Sequence, residues 1–119
     1  MILEQFAGGG GYGSASSIFA FANFNGISGV SIRKSSNIAS ITRSSAGVYA
    51  ATFTTAAPDA NYIVVVGASV PSLGNGTYVQ IHYNGSVEVA PTTSGFTLTY
   101  ISGGAATDAK YLNFAVITA

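Results

Sequence analysis

Tyr62-Ile63-Val64-Val65-Val66 is as long as any apolar run in this chain. Its consecutive β-branched residues are stiff at χ1 and suit the pleated surface of a strand better than a helix. Side chains alternate between the two faces of a strand, so this strand is apolar on both. In a two-layer sandwich only one of those faces meets the core. The other face needs a cover, and a second copy of the chain is the simplest source of one. Ile63 and Val65 are therefore the expected oligomer contacts. The run is also far short of the ~20 apolar residues that a membrane-spanning helix requires, and no membrane insertion is expected.

Outward from this run the chain reads as β. Short stretches rich in Val, Ile, Thr, Tyr and Phe are separated by Gly, Asn, Ser and Pro at the roughly 8–12-residue spacing of a sandwich or barrel. Strands are predicted near 18–24, 30–34, 38–43, 48–54, 62–68, 78–83, 86–89, 96–101 and 111–117. Val30 and Ile32 alternate with Ser31 and Arg33, as expected of a strand with one wet face. Asn25-Gly26, Asn75-Gly76 and Asn84-Gly85 are turn signals, since both residues of the pair accept a positive φ. Asn84-Gly85, between two strand-like runs, predicts a type I′ hairpin. No amphipathic helix competes, and the fold class expected is an all-β antiparallel sandwich. Residues 15–119 form the sandwich, and residues 1–14 form an N-terminal docking peptide with a Gly-rich hinge at Gly8–Gly13. Ile2, Leu3 and Phe6 are the candidate docking anchors. The N-terminus lacks the basic start of a secretory signal, which suggests a mature chain.

Composition narrows the function. The 119 residues carry four basic and four acidic side chains, a net charge of zero, and are 48% hydrophobic. A charged fraction of 7% sits far below the roughly 25% of ordinary globular chains. Disorder needs the opposite balance, and a surface with no net field does not gather nucleic acid. So few charges also leave a free surface poorly solvated, which points to work inside an assembly. Cysteine is absent, removing thiol nucleophiles, disulfides and Cys-based zinc sites.

Catalytic chemistry finds little support. Gly8-x-Gly10-x-x-Gly13 matches a dinucleotide fingerprint as a string, but no strand precedes it and no helix follows. His82 is the sole histidine, no nucleophile elbow is present, and the scattered acids suit neither a metal cage nor a paired-carboxylate hydrolase. No enzyme activity, metal or cofactor is expected. The sequons Asn75-Gly76-Thr77 and Asn84-Gly85-Ser86 read more simply as turns. A binding surface remains. Tyr78, His82, Tyr83 and Asn84 gather near one hairpin, with Tyr78, Gln80 and His82 on one face by alternation. Rings plus amides and hydroxyls are the mixture of recognition loops, and suit the C–H faces and hydroxyls of a glycan.

Asn23-Phe24-Asn25-Gly26, Val30-Ser31-Ile32-Arg33, Ile38-Ala39-Ser40-Ile41, Val48-Tyr49 through Phe53-Thr54-Thr55, and Pro58-Asp59-Ala60-Asn61-Tyr62 form an ordered series. With Tyr111-Leu112-Asn113-Phe114-Ala115-Val116 at the close, it resembles the distal β-domain of bacteriophage tail-fibre and other virion proteins, especially those of cyanobacterial and marine phages. Phe53 with Pro58, followed by Ser94-Gly95-Phe96-Thr97, is more distantly similar to H-type lectins. The phage resemblance implies a homotrimeric sandwich tip located in the virion, which recognises a host-surface glycan and contacts other virion proteins without catalysis. Such tips usually end long fibrous chains, whereas here about twenty residues precede the resemblance. A separate short fibre on the tail, or a decoration (cement) protein trimer on the capsid, would suit that length.

Overall fold

The computed structural model describes residues 16–72 and 76–119. Ile2, Leu3, Phe6, the Gly8–Gly13 run and Asn75 lie outside the described residues. The fold is all-β, with no helix among the described residues. Its strands are β1 (Ser17–Asn25), β2 (Ser31–Ser36), β3 (Ile38–Ser45), β4 (Val48–Phe53), β5 (Ile63–Ala68), β6 (Thr77–Ile81), β7 (Gly95–Ser102), β8 (Ala105–Ala106) and β9 (Leu112–Thr118). One antiparallel sheet runs β2-β1-β9-β5, and the other runs β3-β4-β7-β6 with β8 paired to β7.

The core lies between the sheets. Ala20, Ala22 and Phe24 of β1 alternate inward, as do Leu112, Phe114 and Val116 of β9. Tyr49, Ala51 and Phe53 of β4 and Phe96, Leu98 and Tyr100 of β7 come from the opposite side. Phe96 is the aromatic centre. Its ring makes an edge contact with Phe114 at 4.9 Å and also meets Phe53, Tyr62 and His82 at 6.2–6.3 Å. Gly95, just before it, must be glycine because a Cβ there would run into the Ala51 carbonyl of β4. The missing side chain lets β4 and β7 approach beside the largest ring cluster.

Most predicted strands are present to within a residue or two, and the exceptions have physical causes. β2 is exposed along its whole length rather than wet on one face, because it packs beside β1 with little of the opposite sheet over it. Ile32 remains 40% exposed, and only Val30, ahead of the strand, packs against the core. No strand forms at 86–89. The Asn84 carboxamide oxygen accepts the Ser86 and Val87 amides at 3.0 Å each, so a side chain takes donors that a ladder would need. Only the Tyr83–Glu88 bridge survives. The Asn84-Gly85 turn is not type I′ either, since φ is positive at Gly85 and at His82 but not at Asn84. At Asn25-Gly26 the positive φ values fall on Ser28 and Gly29, while Asn25 accepts the Ile27 amide at 3.0 Å. Gly26 has a different duty: the Tyr49 hydroxyl donates to its carbonyl at 2.9 Å, and a Cβ there would collide with that tyrosine.

Candidate recognition surfaces

The hairpin that follows β6 holds the candidate receptor residues. Tyr78 (52% exposed) and Gln80 point outward from β6. His82 does not continue their row. Its φ of 58° breaks the alternation, and its ring packs edge-on to Phe96 at 6.2 Å. The predicted Tyr78–Gln80–His82 face is therefore corrected to Tyr78 and Gln80 alone. His82 Nδ1 is buried without a hydrogen-bond partner. Burial pushes the imidazole pKa below its ordinary value, and Glu88 opposes this only in part.

Tyr83 is half-buried and donates its hydroxyl to the Ser86 carbonyl at 3.1 Å. Its own carbonyl accepts the Thr99 hydroxyl at 2.7 Å, which draws the loop across β7. The Asn84 oxygen is spent within the turn. An open cleft of about 600 Å³ lies between Val79, Gln80, Ile81, His82, Tyr83 and Glu88. Tyr78 and the rim of this cleft are thus the parts of the hairpin available to a ligand.

The second surface is the outer face of β2-β1-β9-β5. Cross-strand partners share a face, so Ile63, Ile117 and Ile18 form one row and Val65, Ala115 and Phe21 the next. Ile18, Ile63 and Val65 are 65%, 61% and 53% exposed. Val64 is buried and Val66 packs against the core. The strand is apolar on both faces, and its outer half is open in the single chain. The third row, Gly67, Asn113, Asn23 and Lys34, is polar.

Asp108 forms a cluster that resembles an active site in residue type alone. Its Oδ1 accepts Arg43 Nε at 2.8 Å, the Gly47 amide at 2.9 Å and the Tyr49 hydroxyl at 3.2 Å. Oδ2 accepts the Ser28 amide at 3.4 Å. The hydrogen bond from Arg43 leads in holding the Asp108 pKa down at about 2, while burial raises the Tyr49 phenol to about 12. These bonds pin the β1–β2, β3–β4 and β8–β9 connections together. Each of these bonds is made within the chain, which gives the partly buried cluster a structural duty. Among the described residues no group of His, Cys, Asp and Glu gathers as a metal cage would need.

The series Asn23–Tyr62 also has structural duties. Asn37 accepts the Thr55 amide at 2.7 Å and donates to the Thr55 carbonyl at 3.2 Å. Asp59 accepts the Asn61 amide at 2.8 Å, and the Tyr62 hydroxyl donates to the Thr92 and Gly95 carbonyls. Within the series that carries the resemblance, Thr55, Asp59 and Tyr62 are turn and anchor residues, and most of the others lie in β1 to β4. Sequence reading missed the Asp108 cluster and the stacking of Arg33 on Tyr111 at 4.4 Å, because their members lie far apart in sequence. Comparison with protein-family models, with curated proteins and with solved structures finds no match.

Proposed function

We propose that this chain is a bacteriophage virion protein, a small homotrimeric tail fibre or fibre tip. On this reading residues 1–14 dock it to other virion proteins and the sandwich recognises a host-surface glycan. The observation that carries it is the apolar outer face around Ile63 and Val65 on a chain with 7% charged residues. Contiguous exposed apolar patches on soluble proteins mark interaction surfaces. The resemblance of residues 23–62 to distal fibre domains supports the same assignment. Tyr78 and the cleft beside His82, Tyr83 and Glu88 supply a ring and polar groups for sugar. A trimer would turn weak contacts into useful avidity.

The same apolar face also suits a decoration protein clamped to capsid subunits, and location on the particle separates the two. Light scattering on the recombinant chain is the first test. A mass near three times 12.0 kDa is expected, and a monomer at high concentration would sink the assembly reading. Antibody labelling at the tail tip would support adhesion, and labelling over the head would support the decoration role.

A further inference from the structure

Three of the chain's four Lys and Arg residues, Arg33, Lys34 and Lys110, come together at one corner of the β2-β1-β9-β5 sheet. The cause is local. The β1–β2 register shifts between Asn23 and Phe24, so Arg33 is an extra residue between Ile32 and Lys34. Such a bulge re-aims side chains, and here it sets two successive cations beside Asn23. Arg33 is then fixed from three sides. It donates to Asn23 Oδ1 at 3.2 Å and to the Lys110 carbonyl at 2.7 Å, and it lies 4.4 Å over the Tyr111 ring. Lys110 Nζ is 5.6 Å from the same ring, which is 50% exposed.

Among the described residues the fourth cation, Arg43, is the one paired with a carboxylate, that of Asp108. The corner therefore holds unneutralised positive charge on a chain whose net charge is zero. Asn23 and Asn113 pair across β1 and β9 on the same exposed face, and Gly67 beside Asn113 adds no side chain to that row. The result is an exposed patch that joins a basic corner, an open aromatic ring and a row of amides.

We propose that this patch binds an acidic saccharide, a sugar unit bearing a carboxylate or phosphate group. A guanidinium presents five donors, and Arg33 commits two of them within the protein. The remaining fork matches a planar oxyanion, with Lys34 and Lys110 as flexible point charges at its sides. Asn23 and Asn113 supply amide partners for hydroxyls, and the open edge of Tyr111 supplies a surface for sugar C–H groups. A nucleic acid fits less well, since binding to its phosphate backbone draws on longer basic tracks than three cations provide. The site rests on the saccharide part of the proposed function, but not on the position in the virion, and it uses different residues from the hairpin.

The test is titration of the full chain with trigalacturonate, with its methyl ester and with inorganic phosphate, followed by amide chemical shifts. Trigalacturonate should bind with a dissociation constant on the order of millimolar, typical of a shallow site, and perturb residues 23, 33, 110 and 113. The uncharged ester should bind at least about tenfold more weakly, one lost charge contact being worth roughly that factor. Lys34→Gln/Lys110→Gln, both exposed and safe for folding, should weaken trigalacturonate by about the same factor, and Tyr111→Ala should weaken it further. Ser40→Ala, exposed on β3 of the other sheet, should leave it unchanged. Equal binding of acid and ester, or phosphate binding as tightly as trigalacturonate, would overturn the proposal. So would binding to phosphatidylglycerol vesicles without saccharide binding. Neutral glycans lost in Tyr78→Ala or Tyr83→Ala report on the hairpin separately, so either site can fail without the other.

Discussion

Asp108 shows how much one side chain can hold. Its carboxylate gathers Arg43, Gly47, Tyr49 and Ser28 from connections far apart in sequence. Asp108→Ala strands the Gly47 amide and should cost about 1–3 kcal/mol in urea unfolding at neutral pH. The pH dependence has a definite sign. The folded pKa, about 2, lies below the ordinary value of 3.8. The unfolded chain therefore takes up the proton first, and the carboxylate's stabilisation is present above pH 3.8 and lost as pH falls towards about 2. Stability curves of the wild type and Asp108→Ala should converge over that interval, and parallel curves would refute the assignment. Gly26→Ala makes a second residue-scale test. Its Cβ would displace the Tyr49 hydroxyl from the Gly26 carbonyl, and a melting experiment should show a loss of about 1–3 kcal/mol.

At the scale of elements, β5 separates core from surface within neighbouring residues. Val64 is buried and Val65 is 53% exposed. Val64→Asp should abolish folding, because a buried, unpaired charge costs several kcal/mol. Val65→Asp places its charge on the open face instead. The folded chain should survive that change within about 0.5 kcal/mol, while any oligomer mass seen by light scattering should fall to that of the monomer. The hairpin after β6 is the acid-sensitive element. His82 has a depressed pKa, so stability contributed by its neutral form is present above the ordinary histidine range and declines as pH falls through the folded value. The Val89 amide donates to the His82 carbonyl at 2.8 Å, and its protection factor, exchange corrected for the intrinsic rate at each pH, should fall on acidification in the wild type but not in His82→Gln. Strand positions were legible because alternation and turn residues agree. The 86–89 strand was not, because its loss depends on where the Asn84 side chain turns.

At the scale of the molecule, the outer face of the four-stranded sheet is divided. Its Ile18–Ile63–Ile117 end is apolar, and its Arg33–Tyr111 end is basic and aromatic. The division suits two kinds of contact, self-association at one end and a charged ligand at the other. If the apolar end is the oligomer contact, mass measured by light scattering should persist in high salt, since burial of apolar area is not screened as ion pairs are. Binding of trigalacturonate should weaken under the same conditions. An oligomer that salt dissolves would move the interface elsewhere.

The sequence by itself determined what is local or periodic. Two-residue alternation, β-branched runs and Gly/Asn punctuation specify strands and bring an all-β chain with them, and the run at 62–66 specifies a strand apolar on both sides. Sparse charge specifies a surface short of solvation. Tertiary structure decided everything that depends on residues meeting across the chain. It showed that His82 faces Phe96 rather than the Tyr78 row, that Asp108 finds Arg43 and Tyr49, and that a bulge brings Arg33 to Tyr111. A one-residue shift of register reverses which side chain faces out, and no local pattern in this sequence records where such a shift falls.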